Sequence, residues 1–362
     1  MKAVRLHAAK EPKEGYKFSD LEIKTGKVLE GSKVWRFPEP RTEEAEKPKL
    51  GPKDLLIHVK ACGICGSDVH FCETDGDSYI LYPGLTKFPC TIGHEFSGVI
   101  DEVGSAVRDF KVGNSVTSEE MLWCGECIPC RNGFPNHCEN LEELGFTVDG
   151  AMAEYVKVET KYCWKIDSLL DFYGSEEKLY EAGSLVEPTS VAYNALFIRS
   201  GGPKPGAYVA IYGAGPIGLA SIQLAKVAGA SKIIAFEVSP QRASLAMEVG
   251  ADYVFNPIEL RKEGESPSEK VLELTDGLGA DMQVEAAGAP IETLPDMERS
   301  LAIDGKIAWI GRAERSAPIT MERFQTRRGQ IFGSQGHSGN EIFQNVIRLM
   351  ASGRIDMTKI IT

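Results

Sequence analysis

Four cysteines in CGECIPCRNGFPNHC, namely Cys124, Cys127, Cys130 and Cys138, are separated by two, two and seven residues. Spacing this short lets tight turns gather four thiolates around one ion, and sulfur at about 2.3 Å in a tetrahedron suits Zn²⁺. A closed four-thiolate set leaves no vacancy for substrate, so this site is predicted to be structural. A [4Fe–4S] cluster competes for such a lobe, but its common spacing runs differently and ends in Cys-Pro; an empty reduced lobe is the plain alternative. His137 is expected at the surface, because the thiolates already complete the set. A second group is more dispersed. Cys62 and Cys65 form a C-x-x-C pair, which alone reads as a redox dithiol, yet no thioredoxin-like βαβ unit surrounds it. His94 and Glu95 follow in GHEFSG, and Glu187 in SLVEPTS. Cys, His and carboxylate donors from separate loops predict an open zinc site, with a position left for water or a substrate oxygen. Taken singly, His94 reads more readily as a hydrogen-bonded structural histidine, and Glu95 or Glu187 as a surface or salt-bridged carboxylate.

The run AYVAIYGAGPIG places Gly213, Gly215 and Gly218 in G-x-G-x-x-G spacing, with Pro216 and Ile217 between them, and the helical IGLASIQLAKVAGA follows at once. Strand before and helix after are the context that turns this spacing into a dinucleotide fingerprint, because the helix N-terminus offers unpaired N–H groups to a pyrophosphate. Glu237 ends KIIAFE, 24 residues beyond Gly213. A carboxylate there accepts hydrogen bonds from ribose hydroxyls and repels a 2′-phosphate, which favours NAD over NADP, although Arg242 lies close enough to keep NADP open. The bland reading is a glycine turn that packs helix on strand without a ligand.

These residues need elements to hold them. LLIHVKA alternates like a strand and runs into the glycine-broken turn CGICGSDVH, and residues 86–160 continue in short β-rich pieces between Gly, Pro and Asn turns, in the manner of a small irregular barrel. After about residue 189, apolar runs such as YVAIYG, KIIAFE and KIAWIG alternate with helical segments, which predicts parallel strands with crossover helices, an α/β doubly wound sheet. The polar segment from Pro12 to Lys49 is expected to be a surface elaboration, either a lid or subunit contact or a solvated loop pair. The chain's 362 residues suggest two domains at roughly 150 residues each. With 40 Lys+Arg against 52 Asp+Glu, the net charge of −12 repels polyphosphate and anionic membrane surfaces, so neither nucleic acid nor membrane is an expected partner. The N-terminus shows no signal-peptide core, and the uncharged stretch Gly206–Ile222 carries four glycines and a proline, which fits a turn better than a span. A cytoplasmic location follows, where nine clustered cysteines point to metal rather than disulfides.

Taken in order, GICGSDVH, GHEFSG, the four-cysteine lobe, VEPTSVAYNA and GAGPIG resemble the zinc-dependent medium-chain alcohol and polyol dehydrogenases over nearly the whole chain. The resemblance implies a GroES-like catalytic domain over residues 1–189 with the zinc lobe at 120–140, a Rossmann NAD-binding domain over 190–335, and at 336–362 the start of a return to the catalytic domain. Relatives normally run some tens of residues beyond the equivalent of Thr362, with a basic residue for the pyrophosphate, so the chain is expected to be truncated. The resemblance makes Cys65 the ligand and Cys62 a packing residue, places His94 on the metal, and gives Glu95 a position that in polyol and threonine dehydrogenases binds zinc or exchanges with water. Glu187 stands where alcohol dehydrogenases carry a second cysteine. Ser67 corresponds to the residue that hands on the alcohol proton, and His70 to its surface relay.

The activity implied is hydride transfer from a secondary alcohol of a polyol or cyclitol to NAD, in the cleft between the domains, with two zinc ions per chain. The stretches GSKVWRFPEPR and FPNHCENLEELGF resemble the scyllo-inosose 3-dehydrogenases of inositol breakdown. Sorbitol-like and L-threonine 3-dehydrogenases are the alternatives in class, and a non-catalytic zinc and nucleotide binding scaffold the alternative outside it. Glu119, Glu120 and His337 are candidates for contact with a polyhydroxy substrate, and the resemblance implies a homo-oligomer, dimer or tetramer.

Overall fold

The computed structural model describes residues 1–312 and 316–361. It divides into two compact units, Met1–Glu187 and Pro188–Thr362. Strands of the first unit are, in chain order, β1 (Lys2–Lys10), β2 (Trp35–Glu44), β3 (Asp54–Cys62), β4 (Cys90–Thr91) and β5 (Phe96–Val103). They continue with β6 (Ser115–Ser118), β7 (Met121–Leu122), β8 (Glu142–Glu143), β9 (Tyr155–Glu159) and β10 (Cys163–Lys165). The central sheet has the order β10-β6-β5-β3-β9 and is antiparallel throughout. Leu55 and Ile57 of β3 meet Phe96, Ile100, Val116, Val156 and Val158 in one core. Leu56, which points to the other face, is buried as well, and the helix Glu176–Ser184 packs against β3 and β5. β3 is therefore covered on both sides rather than half-solvated.

The segment expected as a surface elaboration is partly something else. β2 pairs antiparallel along β1, from Lys2 opposite Glu44 to Lys10 opposite Trp35. Trp35 is buried, and its indole N–H donates to Thr86 Oγ1 at 3.0 Å. The short helix Asp20–Thr25 before it is closed by Ser19 and Glu22 in a reciprocal capping box. The segment's polar composition hid this, because the outward face of an edge strand is polar too.

Beside this sheet lies an aromatic cluster that fixes the helix Gly66–Cys72. Phe71, fully buried on that helix, meets Tyr82, Phe88 and Phe146 edge-on at ring distances of 4.8, 5.5 and 5.1 Å. Edge-to-face pairs favour one orientation of each ring, so the cluster locks the helix's rotation as well as its depth.

The second unit holds a parallel sheet of six strands: β11 (Tyr208–Tyr212), β12 (Lys232–Phe236), β13 (Tyr253–Phe255), β14 (Ala280–Glu285), β15 (Leu301–Trp309) and β16 (Gln330–Gly333). Their order is β13-β12-β11-β14-β15-β16, so the direction of winding reverses between β11 and β14. Helices Pro216–Val227, Pro240–Val249, Pro267–Leu274 and Pro290–Arg299 each begin on proline. Proline costs nothing at a first helical position, where its missing N–H would have no intrahelical partner and its fixed φ is already helical. Ser239 and Ser266 cap two of these helices. The amphipathic helix Ile342–Ala351 buries Ile342, Phe343, Val346, Ile347 and Met350. Beyond it the Gln223 side-chain amide, on the helix Pro216–Val227, accepts the Asp356 N–H at 2.8 Å and donates to the Asp356 carbonyl at 3.3 Å. Residues 336–361 cluster with the second unit, and Met357–Ile360 touches its helices Pro216–Val227 and Pro240–Val249. No helix among the described residues is long and apolar enough to cross a membrane.

Truncating Phe71 should test the aromatic anchor. Phe71→Ala is expected to lower unfolding stability by about 3–5 kcal/mol in urea denaturation, and the volume-sparing Phe71→Leu by markedly less.

Candidate metal and dinucleotide sites

Cys65 caps the start of the helix Gly66–Cys72, and His94 and Glu95 lie on the loop between β4 and β5. The fold brings the Cys65 sulfur, a His94 ring nitrogen and a Glu95 carboxylate oxygen within 4.8 Å of one another. Glu187, in the first turn of the helix Val186–Tyr193, does not join that trio at this distance, and its carboxylate lies within 4.8 Å of the Glu120 carboxylate. Its charge still acts on Glu95, His94 and Asp68. Cys62 stays out of the trio: its sulfur packs under Gly93, where a Cβ would run into it.

Acidic groups crowd this pocket. Burial pushes the Glu95 carboxyl up to about 7, and the neighbouring Glu187 charge adds to the shift. Burial also raises the Cys65 thiol and the Asp68 carboxyl. At His94 burial opposes protonation, but the hydrogen bond to Cys65 and the charges of Cys65, Asp68 and Glu187 outweigh it, so the ring holds a proton well above its usual range. Among the described residues, His94 Nδ1 finds no hydrogen-bond partner of ordinary geometry, with Asp68 Oδ1 at 3.9 Å. The Ser67 hydroxyl, beside the Cys65 sulfur, is likewise buried without one. Soft sulfur, imidazole and carboxylate donors gathered in a desolvated pocket, with His94 Nδ1 unsatisfied, fit a divalent cation, and the mixed set suits zinc. His70 sits one turn beyond Ser67 at the helix surface, 45% exposed, with Nδ1 at 3.2 Å from Glu73 Oε2.

Asp68 is the residue the motif reading missed. Its Oδ2 accepts the Cys65 N–H at 2.9 Å and its Oδ1 the Gly93 N–H at 3.3 Å. One carboxylate thereby fastens both loops that carry the metal-type donors. Its place three residues after a helix cap was the only local signal, since Gly93 is distant in sequence.

In the four-cysteine lobe all four sulfurs lie within 4.8 Å of one another. Cys127 Sγ and Cys138 Sγ are 3.8 Å apart, which matches the edge of about 3.8 Å that bonds of about 2.3 Å impose on a tetrahedron. Backbone N–H groups of Glu126 and Cys127 donate to Cys124 Sγ at 3.4 Å, and those of Cys124 and Asn140 to Cys138 Sγ at 3.3 Å. The donors on Cys124 pull its thiol down to about 6, whereas burial pushes Cys130 up to about 12. His137 lies outside the sulfur set.

At the second unit's winding reversal, Gly213 turns off β11 with φ of +93°, and a Cβ on Gly218 would collide with the Gly213 carbonyl. Gly215 precedes the helix Pro216–Val227 with open space where a Cβ would point. This is the close-packed turn and open approach that a pyrophosphate needs. Glu237, just beyond β12, is buried; its Oε2 accepts the Ala214 N–H at 2.7 Å and its Oε1 the Ser239 N–H at 2.8 Å. Arg242 is exposed on the next helix. Of the substrate candidates, Glu119 is committed elsewhere, because its two oxygens accept the indole N–H groups of Trp123 and Trp164 at 3.0 and 3.1 Å. Glu120 and His337 are both buried, the latter edge-on to Phe343.

The sequence matches the alcohol dehydrogenase GroES-like domain over residues 51–168 and the zinc-binding dehydrogenase domain over residues 216–352. The chain belongs to the zinc-binding dehydrogenase family, oxidoreductases that act on CH–OH donors. It is similar to the scyllo-inosose 3-dehydrogenase of Thermotoga maritima, at 52% identity over 100% of this chain and 93% of that protein. A solved structure from Thermotoga maritima, described provisionally as an alcohol dehydrogenase, superposes with a TM-score of 0.94 at 53% identity, over 100% of this chain and 92% of that one. The L-threonine 3-dehydrogenase of Pyrococcus horikoshii is 34% identical over 88% of this chain and 86% of its own.

If Asp68 fastens both loops, Asp68→Ala should lower unfolding stability by about 3 kcal/mol, since a hydrogen bond to a charged group contributes about 1.5–3 kcal/mol. Asp68→Asn, which keeps one acceptor, should recover roughly half in the same denaturation experiment.

Proposed function

We propose that this protein is an NAD-dependent zinc dehydrogenase that oxidises a secondary hydroxyl of a cyclitol or polyol, with scyllo-inosose as the leading substrate. The observation that carries the reading is the Cys65, His94 and Glu95 trio, whose imidazole and carboxylate are buried, beside the Ser67 hydroxyl. These three residues would hold the catalytic ion, and Glu187, whose charge already acts on Glu95 and His94, would exchange with Glu95 or with water as a further ligand. Cys124, Cys127, Cys130 and Cys138 would hold a second, structural ion.

Zinc supplies Lewis acidity that lowers the pKa of an oxygen acid by roughly 9 units, about 12 kcal/mol, whereas a positioned base contributes only about 3–5 kcal/mol. The chain's own residues then manage the proton. Ser67, buried beside the Cys65 sulfur, would accept it from the substrate hydroxyl and pass its own toward solvent, and His70, half-exposed on the same helix, would take one up at the surface. The Gly213, Gly215 and Gly218 turn with Pro216 and Ile217 would cradle the dinucleotide pyrophosphate at the helix N-terminus. Glu237, anchored through Ala214 and Ser239, retains lone pairs for ribose hydroxyls and repels a 2′-phosphate, which supports NAD despite Arg242 on the neighbouring helix.

Identity supports the cyclitol reading over the threonine one, at 52% against 34%. Glu120, buried and near Glu187, is the remaining first-unit candidate for a substrate hydroxyl. The domain division, catalytic over 1–189 and dinucleotide-binding from 190, belongs to the same proposal, as do a cytoplasmic location and a homo-oligomer. All nine cysteines are free thiols, which supports a reducing compartment.

Elemental analysis should return two zinc ions per chain. Cys65→Ala should leave one ion, keep the lobe folded and reduce turnover at least about 1000-fold; turnover that survives a strong chelator would overturn the reading. With NAD as acceptor, scyllo-inosose should be oxidised in preference to sorbitol and L-threonine, and activity on threonine alone would transfer the assignment to that branch.

A further inference from the structure

At the carboxyl end of β14, where the sheet reverses its winding, lies a carboxylate that the reading above does not use. Glu285 is fully buried. Its Oε1 accepts the backbone N–H groups of Ala287 and Ala289, each at 3.3 Å, and the Thr293 hydroxyl at 3.4 Å. Its Oε2 accepts the Gly288 N–H at 3.2 Å. Three consecutive N–H groups of one turn are thus gathered on one side chain, and Thr293 ties the same carboxylate to the helix Pro290–Arg299. The Glu285 carbonyl is engaged as well, accepting from Ile310 and Gly311 at 3.0 and 2.9 Å just after β15.

Two approaches show how tightly the turn is set. A Cβ on Gly213, in the glycine-rich turn, would collide with Ala286 and Ala287. A Cβ on Gly311 would collide with Glu285 Oε2 and the Gly288 nitrogen. The turns that follow β11, β14 and β15 therefore stack on one another, with the Glu285 carboxylate beneath them. Burial raises the Glu285 carboxyl, while the three turn N–H groups and Thr293 draw it back down. In a doubly wound sheet of this order, the half built from β14, β15 and β16 holds one mononucleotide of a dinucleotide and the half built from β11, β12 and β13 the other. The glycine turn and Glu237 belong to the second of these halves.

We propose that Glu285 is the positioning residue for the nicotinamide half of the dinucleotide cradle, holding the Ala286–Ala289 turn and the Gly311 backbone at the height the cofactor requires. The inference rests on the NAD reading above. It predicts that the two halves of the cofactor respond differently to loss of this side chain: contacts to adenosine monophosphate survive, and contacts that need the whole dinucleotide weaken.

Binding of NAD and of AMP to the purified zinc-loaded enzyme is the test, by isothermal calorimetry without substrate. Glu285→Ala should weaken NAD about tenfold or more while the AMP affinity changes less than about twofold, because two or more bonds of about 1 kcal/mol are lost only on one side. Glu285→Gln keeps an oxygen for Ala287 and Ala289 and loses the Gly288 bond, so it should weaken NAD about threefold and leave AMP unchanged; it also serves should the alanine variant fail to fold. Under turnover the KM for NAD should rise more than kcat falls. Equal weakening of both ligands would reduce Glu285 to a general fold residue, and unchanged NAD binding would remove it from the cradle; either result overturns the proposal. Wild-type enzyme that binds neither NAD nor AMP would instead refute the dinucleotide reading itself.

Discussion

The constraint on which the first unit turns is electrostatic. Cys65, Asp68, Glu95 and Glu187 are four acid groups gathered around the single imidazole of His94, and burial raises Cys65, Asp68 and Glu95 above their ordinary range. Desolvated charges of one sign repel strongly in a medium of low polarisability, and the imidazole offsets only one of them. A pocket of this kind is stable in a folded chain only if its members are neutral or if a cation joins them. Everything near it serves to keep the donors together in spite of that repulsion: Asp68 bonded to the backbone at Cys65 and Gly93, and Phe71 wedged among three rings behind the same helix.

The second unit solves a different problem, that of bringing a backbone close to a ligand's charge without placing side chains in the way. Gly218 is pressed onto the Gly213 carbonyl, and Gly215 leaves an open approach to the helix N-terminus. The partial positive charge at that terminus is the attraction on offer, and it acts only over the first turn. Glu237 would contribute twice: its bonds to Ala214 and Ser239 join the turns after β11 and β12, and on the proposed reading its charge would select against a phosphate on the ribose. Structural and recognition roles are carried by one side chain, so substitutions there would not separate them cleanly.

Residues that do chemistry through short-range spacing were legible in the sequence, and residues that act through long-range contact were not. Cys124 to Cys138 lie within fifteen positions and the glycine turn within six, so local geometry alone suggests their use. Cys65 and His94 carried recognisable local motifs, and the fold brings their donor atoms together. Asp68 and Glu285 carried no comparable motif, because what defines them is which backbone N–H groups they meet once the chain has folded. Glu119 shows the converse. A glutamate beside the zinc lobe reads as a substrate contact, and the fold shows a further role for it, since each of its oxygens accepts an indole N–H, from Trp123 and Trp164. The parallel sheet was readable from its apolar runs, whereas β2 was not, since its exposed face gave Trp35–Glu44 the polarity of a loop.

The two cysteine environments explain why one fold would carry two ions of the same metal for different purposes. In the lobe, backbone N–H groups pull Cys124 down to about 6 and also bond Cys138, whose sulfur stands 3.8 Å from that of Cys127, while burial raises Cys130 and Cys138. Charge already stabilised by the peptide backbone gains little from exchanging its metal, and four like donors give no weak member to displace. Around Cys65 the donors are mixed. Burial raises the thiol, and Glu95 beside it is pushed up to about 7 chiefly by desolvation. On the proposed reading, a carboxylate, the hardest donor in a set with sulfur and imidazole, would be the member whose place a hydroxyl from substrate takes. On that reading, closure in the lobe would follow from its four like donors, and exchange at the mixed site from its carboxylates.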